Sequence, residues 1–329
     1  MRTDPSAVIS AGLHIVDVLG RPVTHIPDGQ GVAFLDEITM TVAGTAAATS
    51  ADLARLGVAV AAVGAVGNDV MGQFLRSRMA SLGIDVTHLV RLDGVPTSAT
   101  MLPIRPNGER PALHVIGANA FVTEDLVPWD LVSRARVFHM GGTFLLPGLD
   151  GEPTARVLRR VKELGLTVTM DFIPGGRADA AELLAPALPY VDYLLPNLED
   201  AAFVAGRREA DRAGVIAWYH DRGVGCTILT MGADGVSIAR RGEPETRLPA
   251  FDIDVVDTTG CGDAFTAGFI TGLLDGRSLL ECAERGLACG SLVATGLGSD
   301  AGLVDQHHLL DFIATTPRRQ LAETAMEAS

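Results

Sequence analysis

From residue 137 to residue 295, segments of strand and helix pattern alternate almost without a break, and that alternation leaves few folds open. Short apolar runs at 137–140, 167–171, 193–196 and 226–230 read as strands. Helical patterns follow at 154–164, through Val204, at 264–274 and at 279–295. Repeated βαβ units of this length predict an α/β fold, a doubly wound and mostly parallel sheet flanked by helices. Hydrophobic residues make up 47% of the chain but aromatics only 5%, so Ala, Val, Leu and Ile fill the core, as such a sheet requires.

The N-terminal part departs from this rhythm. A strand is expected over 7–15, followed by Asp17. Residues 18–44 are polar and spaced by Pro and Gly, with apolar positions alternating at Val32 and Phe34 and again at Ile38, Met40 and Val42. That is the pattern of small antiparallel strands. A helix at 45–56 closes on Gly57, a strand covers 58–63, and a helix at 71–82 closes on Gly83. Residues 97–116 read as a hairpin turning at Pro106-Asn107-Gly108. The division expected is an α/β core of 1–17, 45–96 and 121–316, with a small β-sheet lid from 18–44 and 97–120. Residues 317–329 form a polar, frayed tail.

Net charge is −14, from 26 basic and 40 acidic residues, which argues against nucleic acid or an anionic membrane as partner. The longest apolar run, 58–66, has about half the length needed to span a bilayer. Cys226, Cys261, Cys282 and Cys289 show no metal-like or C-x-x-C spacing, and the N-terminus shows no signal-peptide pattern. A soluble, cytoplasmic protein with reduced thiols is expected. No P-loop pattern occurs, and the Gly296, Gly298, Gly302 spacing is not a dinucleotide fingerprint.

The stretch Asp257-Thr-Thr-Gly-Cys-Gly-Asp263 carries the chemistry. It leaves a strand-like segment at 251–256 and enters the 264–274 helix. Glycines at the turn admit a ligand close to the backbone, and free N–H groups at a helix start form an anion site. Asp263 would repel a phosphate but suits a general base for a hydroxyl attacking one. The competing reading is a Gly-rich turn with Asp263 as a helix cap.

Read in order, the motifs resemble the PfkB carbohydrate kinase (ribokinase-like) family over about residues 8–313. Residues 257–263 resemble the family's D-T-T-G-A-G-D signature. Val63-Gly-Ala-Val-Gly-Asn-Asp69 with Gly72, Leu82-Gly-Ile-Asp85, Asn107-Gly-Glu-Arg110 and Gly117-Ala-Asn119 are similar to other family segments. The resemblance implies an ATP- and Mg²⁺-dependent kinase that phosphorylates a hydroxymethyl group of a sugar or sugar-like compound. Asp263 would be the base, and the N–H groups of Gly260, Cys261 and Gly262 the anion hole. Asp17, Gly44, Thr100, Leu102 and Asn119 would bind substrate. Asn197, Thr230, Gly232 and Gly235 would line the ATP site. Asp200 or Glu199 would hold Mg²⁺ through water, and Asp257, Thr259 and Gly298 would bind K⁺.

Three positions depart from the family pattern. Ala48 stands where an asparagine bonds the sugar, Asp200 where a glutamate stands, and Cys261 where an alanine is usual. The first departure, with apolar Phe34, Met101 and Leu102 in the lid, also suits a nucleoside acceptor. A non-catalytic ligand-binding relative is the reading from another class. Arg105 and Arg110 are the candidates for meeting a phosphosugar. The lid edge implies a homodimer by the same resemblance. Cys261 is read as a small residue tolerated at its position, not a reactive thiol.

Overall fold

The computed structural model of the protein describes residues 7–107, 109–299 and 301–320. Gly108, in the expected hairpin turn, and 321–329 of the expected tail lie outside the described residues. The alternating segments form a nine-stranded sheet in the order Thr246–Leu248, Val236–Arg240, Cys226–Thr230, Tyr193–Leu194, Thr167–Phe172, Val137–Thr143, Val8–Gly12, Val60–Gly67, Leu89–Leu92. Pairing is parallel from Leu89–Leu92 as far as Cys226–Thr230, and the last two edge strands are antiparallel. Successive residues of one strand bury into different apolar clusters. Ile9, Val63 and Phe138 enter one, and Val8, Val60 and Val137 the other. The period of two thus builds a core on each face, with helices covering both.

A separate four-stranded sheet is ordered Glu37–Ala43, Ile15–Arg21, Ala99–Pro103, Leu113–Val115. Its central pair, Ile15–Arg21 and Ala99–Pro103, is parallel, and the outer pairs are antiparallel. The register sets Asp17 opposite both Thr41 and Thr100. Asp17, Leu19, Thr100 and Leu102 therefore share the inner face. Ile38, Met40, Met101, Leu113 and Val115 are exposed apolar side chains.

Four expectations change. The strand at 7–15 is two strands, because the Leu13 N–H donates to the Gly141 carbonyl and the chain then crosses into the small sheet. Asp17 accordingly lies within a strand of that sheet. Val32 and Phe34 belong to no strand and are largely exposed. Residues 252–256 form no strand either; Phe251 makes an isolated bridge to Arg318. The expected tail is tied down over 317–320: the Asp252 N–H donates to the Pro317 carbonyl (2.9 Å), and the Arg318 guanidinium lies over the Phe251 ring and pairs with Glu284.

Candidate active site

Parallel strands deliver their carboxyl ends to one edge of the sheet, and helix N-termini open beside them. The helix Cys261–Leu274 starts at Gly260, whose backbone is left-handed (φ +77°). A Cβ at Gly260 would lie 2.5 Å from the Ser299 Cβ, so only glycine lets this turn press against the 297–299 loop. At Gly262 nothing lies within 4 Å of where a Cβ would stand. That residue opens on a cleft of about 220 Å³. The Cys261 N–H makes only a long bond to the Thr258 carbonyl (3.4 Å). The first-turn amides thus face a space that an anion fits.

Asp263 follows on the same turn and keeps part of its surface open. The Thr49 hydroxyl, from the helix Thr45–Arg55, donates to the Asp263 carbonyl (3.3 Å) and holds the two helix starts together. Burial pushes the Asp263 carboxyl well above the ordinary carboxylate range, and the charges of Asp171, Asp52 and Asp17 push it further. Such a group takes up a proton readily.

On the inner face of the small sheet, Asp17 is raised to about 6, first by burial and also by Asp257. The Thr100 hydroxyl bond and the Arg110 charge act against that rise. Thr100 Oγ1 also meets His114 Nδ1 at 3.0 Å. Leu102 packs with Leu19, Ile104 and Leu297 instead of beside Asp17. Gly44, at φ +89°, lies so close to Leu13 that a Cβ would stand 2.7 Å from its carbonyl oxygen; that approach is to backbone. Asn119 is wholly buried, accepts from the His14 N–H (3.3 Å) and donates to the His14 carbonyl (3.2 Å). Its amide is committed to holding the chain just before Asp17.

Thr230, Gly232 and Gly235 line the cleft that Gly262 opens on, together with Phe251, Ile253 and Leu287. Asn197 caps the helix Leu198–Ala205 by accepting from the Asp200 N–H (2.7 Å), and its amide donates to Asp200 Oδ2 (2.7 Å). Asp200 is raised, first by burial, despite the Asn197 bond and with Glu199 adding. Glu199 itself is exposed. Asp171, at the end of the strand Thr167–Phe172, is raised to about 7, first by burial and also by Asp200. Asp171 and Thr49 lie in no motif. Their signal in the sequence is position alone, a carboxylate ending a central strand and a hydroxyl inside an Ala-rich helix.

Asp257 ties two loops together. Its Oδ1 accepts from the Thr259 N–H (3.0 Å) and hydroxyl (2.8 Å), and its Oδ2 from the Gly298 N–H (2.8 Å). Burial opposes ionisation here, but these bonds and Arg110 outweigh it and hold Asp257 below its usual range. The Cys261 thiol is pushed up to about 12 by burial and by Asp257, so it is not activated.

The sequence matches the family described as pfkB family carbohydrate kinase over residues 7–306. It is 31% identical to the fructokinase of Klebsiella pneumoniae, covering 87% of this chain and 95% of that one. It is also 31% identical to the ATP-dependent ribose-1-phosphate kinase of Halopiger xanaduensis, covering 87% and 91%. The fold superposes on Arabidopsis thaliana ribokinase complexed with ribose and ATP, with a TM-score of 0.83 at 22% identity over 94% of this chain and 98% of that one. The chain belongs to the pfkB carbohydrate kinase family and is a phosphotransferase acting on an alcohol group.

Proposed function

We propose that the protein transfers the γ-phosphate of ATP to a hydroxymethyl group of a sugar or sugar-like acceptor, with Asp263 as general base. The observation that carries this reading is the placing of Asp263 one residue after Gly262, on a helix start that opens into the cleft. The Gly260–Gly262 amides would hold the transferring phosphoryl group, while Asp263 takes the proton of the attacking hydroxyl. Asp17, backed by Thr100, would orient neighbouring hydroxyls of the acceptor. Phe251, Ile253 and Leu287 would offer apolar surface to the adenine in the cleft that Thr230, Gly232 and Gly235 also line.

Asp171, whose proton affinity Asp200 raises, and Asp200, itself raised first by burial, fit Mg²⁺, a hard cation that takes carboxylate oxygens through water. Among the described residues no three His, Cys, Asp or Glu side chains are grouped closely enough to hold a metal together. When bound, Mg²⁺ would neutralise charge building on the phosphates.

Each arginine of the outer cleft already has a carboxylate. Arg21 pairs with Glu37, Arg105 with Glu109 and Arg110 with Asp257. This pairing favours an uncharged acceptor over a phosphosugar. The four-stranded sheet is the lid, and its exposed apolar face is where a second copy would dock to make a homodimer. A panel of pentoses, hexoses, sugar phosphates and nucleosides, assayed for ADP release, tests the reading. Turnover of a free sugar is expected. Preference for a nucleoside would reassign the acceptor. Ligand-induced stabilisation with no turnover would overturn the catalytic reading in favour of a binding relative.

A further inference from the structure

The residues expected to bind K⁺ are arranged otherwise. All the groups aimed at Asp257 are donors. Thr259 N–H, the Thr259 hydroxyl and Gly298 N–H approach it, and the fourth is the guanidinium of Arg110, whose Nη1 donates to Oδ1 at 2.5 Å. Nη2 of the same guanidinium donates to the Thr258 hydroxyl at 2.8 Å. A potassium ion needs inward-facing oxygen lone pairs, and here the carboxylate's are turned to hydrogens and to a fixed positive charge. The Asp257 carboxylate, its charge already met by Arg110, does not fit a monovalent cation.

Arg110 comes from the lid, 147 positions before Asp257. The lid grips the partner loop as well. Leu297 packs against Leu19, Leu102 and Ile104, and the Ser299 hydroxyl donates to the Val42 carbonyl (2.6 Å). Ser299 in turn abuts Gly260, and Asp257 leads directly into Thr258, Thr259 and Gly260. Two routes from the lid therefore converge on the first residue of the anion cradle. The pair is shielded, with the Asp257 side chain 8% exposed and that of Arg110 30%.

We propose that Arg110 is a positioning residue that latches the lid to the 257–260 turn and supplies there the positive charge a monovalent cation would otherwise bring, so that transfer proceeds without K⁺. The catalytic half of this inference rests on the kinase reading above; the mechanical half does not. Displacing a cradle by about 1 Å can cost about 10²-fold in rate. For the wild type, kcat is expected to be the same in potassium, sodium and tetramethylammonium chloride. R110A is expected to lose roughly 10- to 100-fold in kcat with little change in the KM for ATP. Free guanidinium ion should restore part of that loss. R110K, which keeps the charge but not the forked geometry, should fall between. In the free protein, amide exchange over 257–262 should quicken in R110A while the nine-stranded sheet is unaffected. Potassium stimulation of the wild type would overturn the proposal, and so would unchanged kcat and exchange in R110A. If the wild type turns over no acceptor, the kinase reading fails. The exchange measurement then decides the latch alone, and unchanged exchange sinks it.

Discussion

Replacing Asp263 with asparagine should lower activity and raise stability together. The amide matches the carboxylate in volume, and the bond that anchors this turn runs from Thr49 to the Asp263 backbone carbonyl, which the change leaves in place. What disappears is the base. Loss of a positioned general base costs about 10²–10⁴-fold in rate, or roughly 2.7–5.4 kcal/mol on the barrier at about 1.36 kcal/mol per decade. Stability moves the other way. The native carboxyl is largely desolvated, though the residue keeps some open surface, and it faces the charges of Asp171, Asp52 and Asp17, so its ionised form is disfavoured by the fold. A first-turn carboxylate gains about 0.3–1 kcal/mol from the helix dipole. Enclosure with three like charges outweighs that attraction, and a neutral isostere escapes the repulsion. Each kcal/mol of relief reads as roughly 1–2 °C in Tm for a chain of this length, because the unfolding entropy grows with size. ADP release gives kcat, scanning calorimetry gives Tm, and nucleotide titration checks that the cleft is intact. Turnover within a few-fold of wild type, or a lowered Tm with nucleotide binding intact, would refute this account of the site.

Gly260→Ala forces a left-handed alanine, costing about 1–2 kcal/mol, and drives its Cβ to 2.5 Å from Ser299. Phosphoryl transfer should drop about 10²-fold while the far-UV spectrum stays native, and wild-type kcat would discount the cradle. For Asp17, the folded value of about 6 exceeds its ordinary 3.8, so its stability contribution is present below about pH 4 and lost as pH rises through 6. Acceptor binding runs oppositely, since the carboxylate can accept from two neighbouring hydroxyls while the protonated acid spends one oxygen as a donor. The acceptor KM should rise as pH falls below about 6, and Asp17→Asn should flatten that rise, as a KM–pH series would show. If the outer lid face joins two copies, Met101→Glu should yield monomers by light scattering without loss of helix content.

Much of this was legible in the sequence, and the failures share a cause. The strand Cys226–Thr230 was read to the residue because its apolar run is closed at both ends by turn chemistry. The 251–256 segment alternates as a strand does, yet its apolar Phe251 and Ile253 line the cleft that Gly262 opens on and pair into no sheet. Phe34 alternates with nothing to cover it and is 94% exposed. The break after Gly12 depends on Gly141 and on Asn119, partners more than 100 residues away that no local window contains. The site followed the same rule. Asp257 to Asp263 could be read because the motif is contiguous. Asp171 could not, since its meaning comes from neighbours at 200 and 263. Arg110 stood in a motif whose partner is a distant loop.

Asp171 permits one further test of the charge balance at the strand ends. Its carboxyl is raised to about 7, so near neutral pH the free protein holds about half a proton there. Asp200 and Asp263 are raised beside it. A divalent cation brought among these groups favours their ionised forms, so binding must expel protons. Titrating Mg²⁺ with a non-hydrolysable nucleotide near pH 7, in buffers of different ionisation enthalpy, should reveal net proton release that shrinks at pH 8.5. In Asp171→Asn the release should fall by the fraction of a proton Asp171 carried, whether or not the variant turns over. Release identical in wild type and variant would mean that Asp171 stands apart from the cation. The raised affinities of Asp200 and Asp263 would then have to be relieved by the nucleotide's own contacts, and the water-mediated Mg²⁺ site would have to be moved away from this strand end.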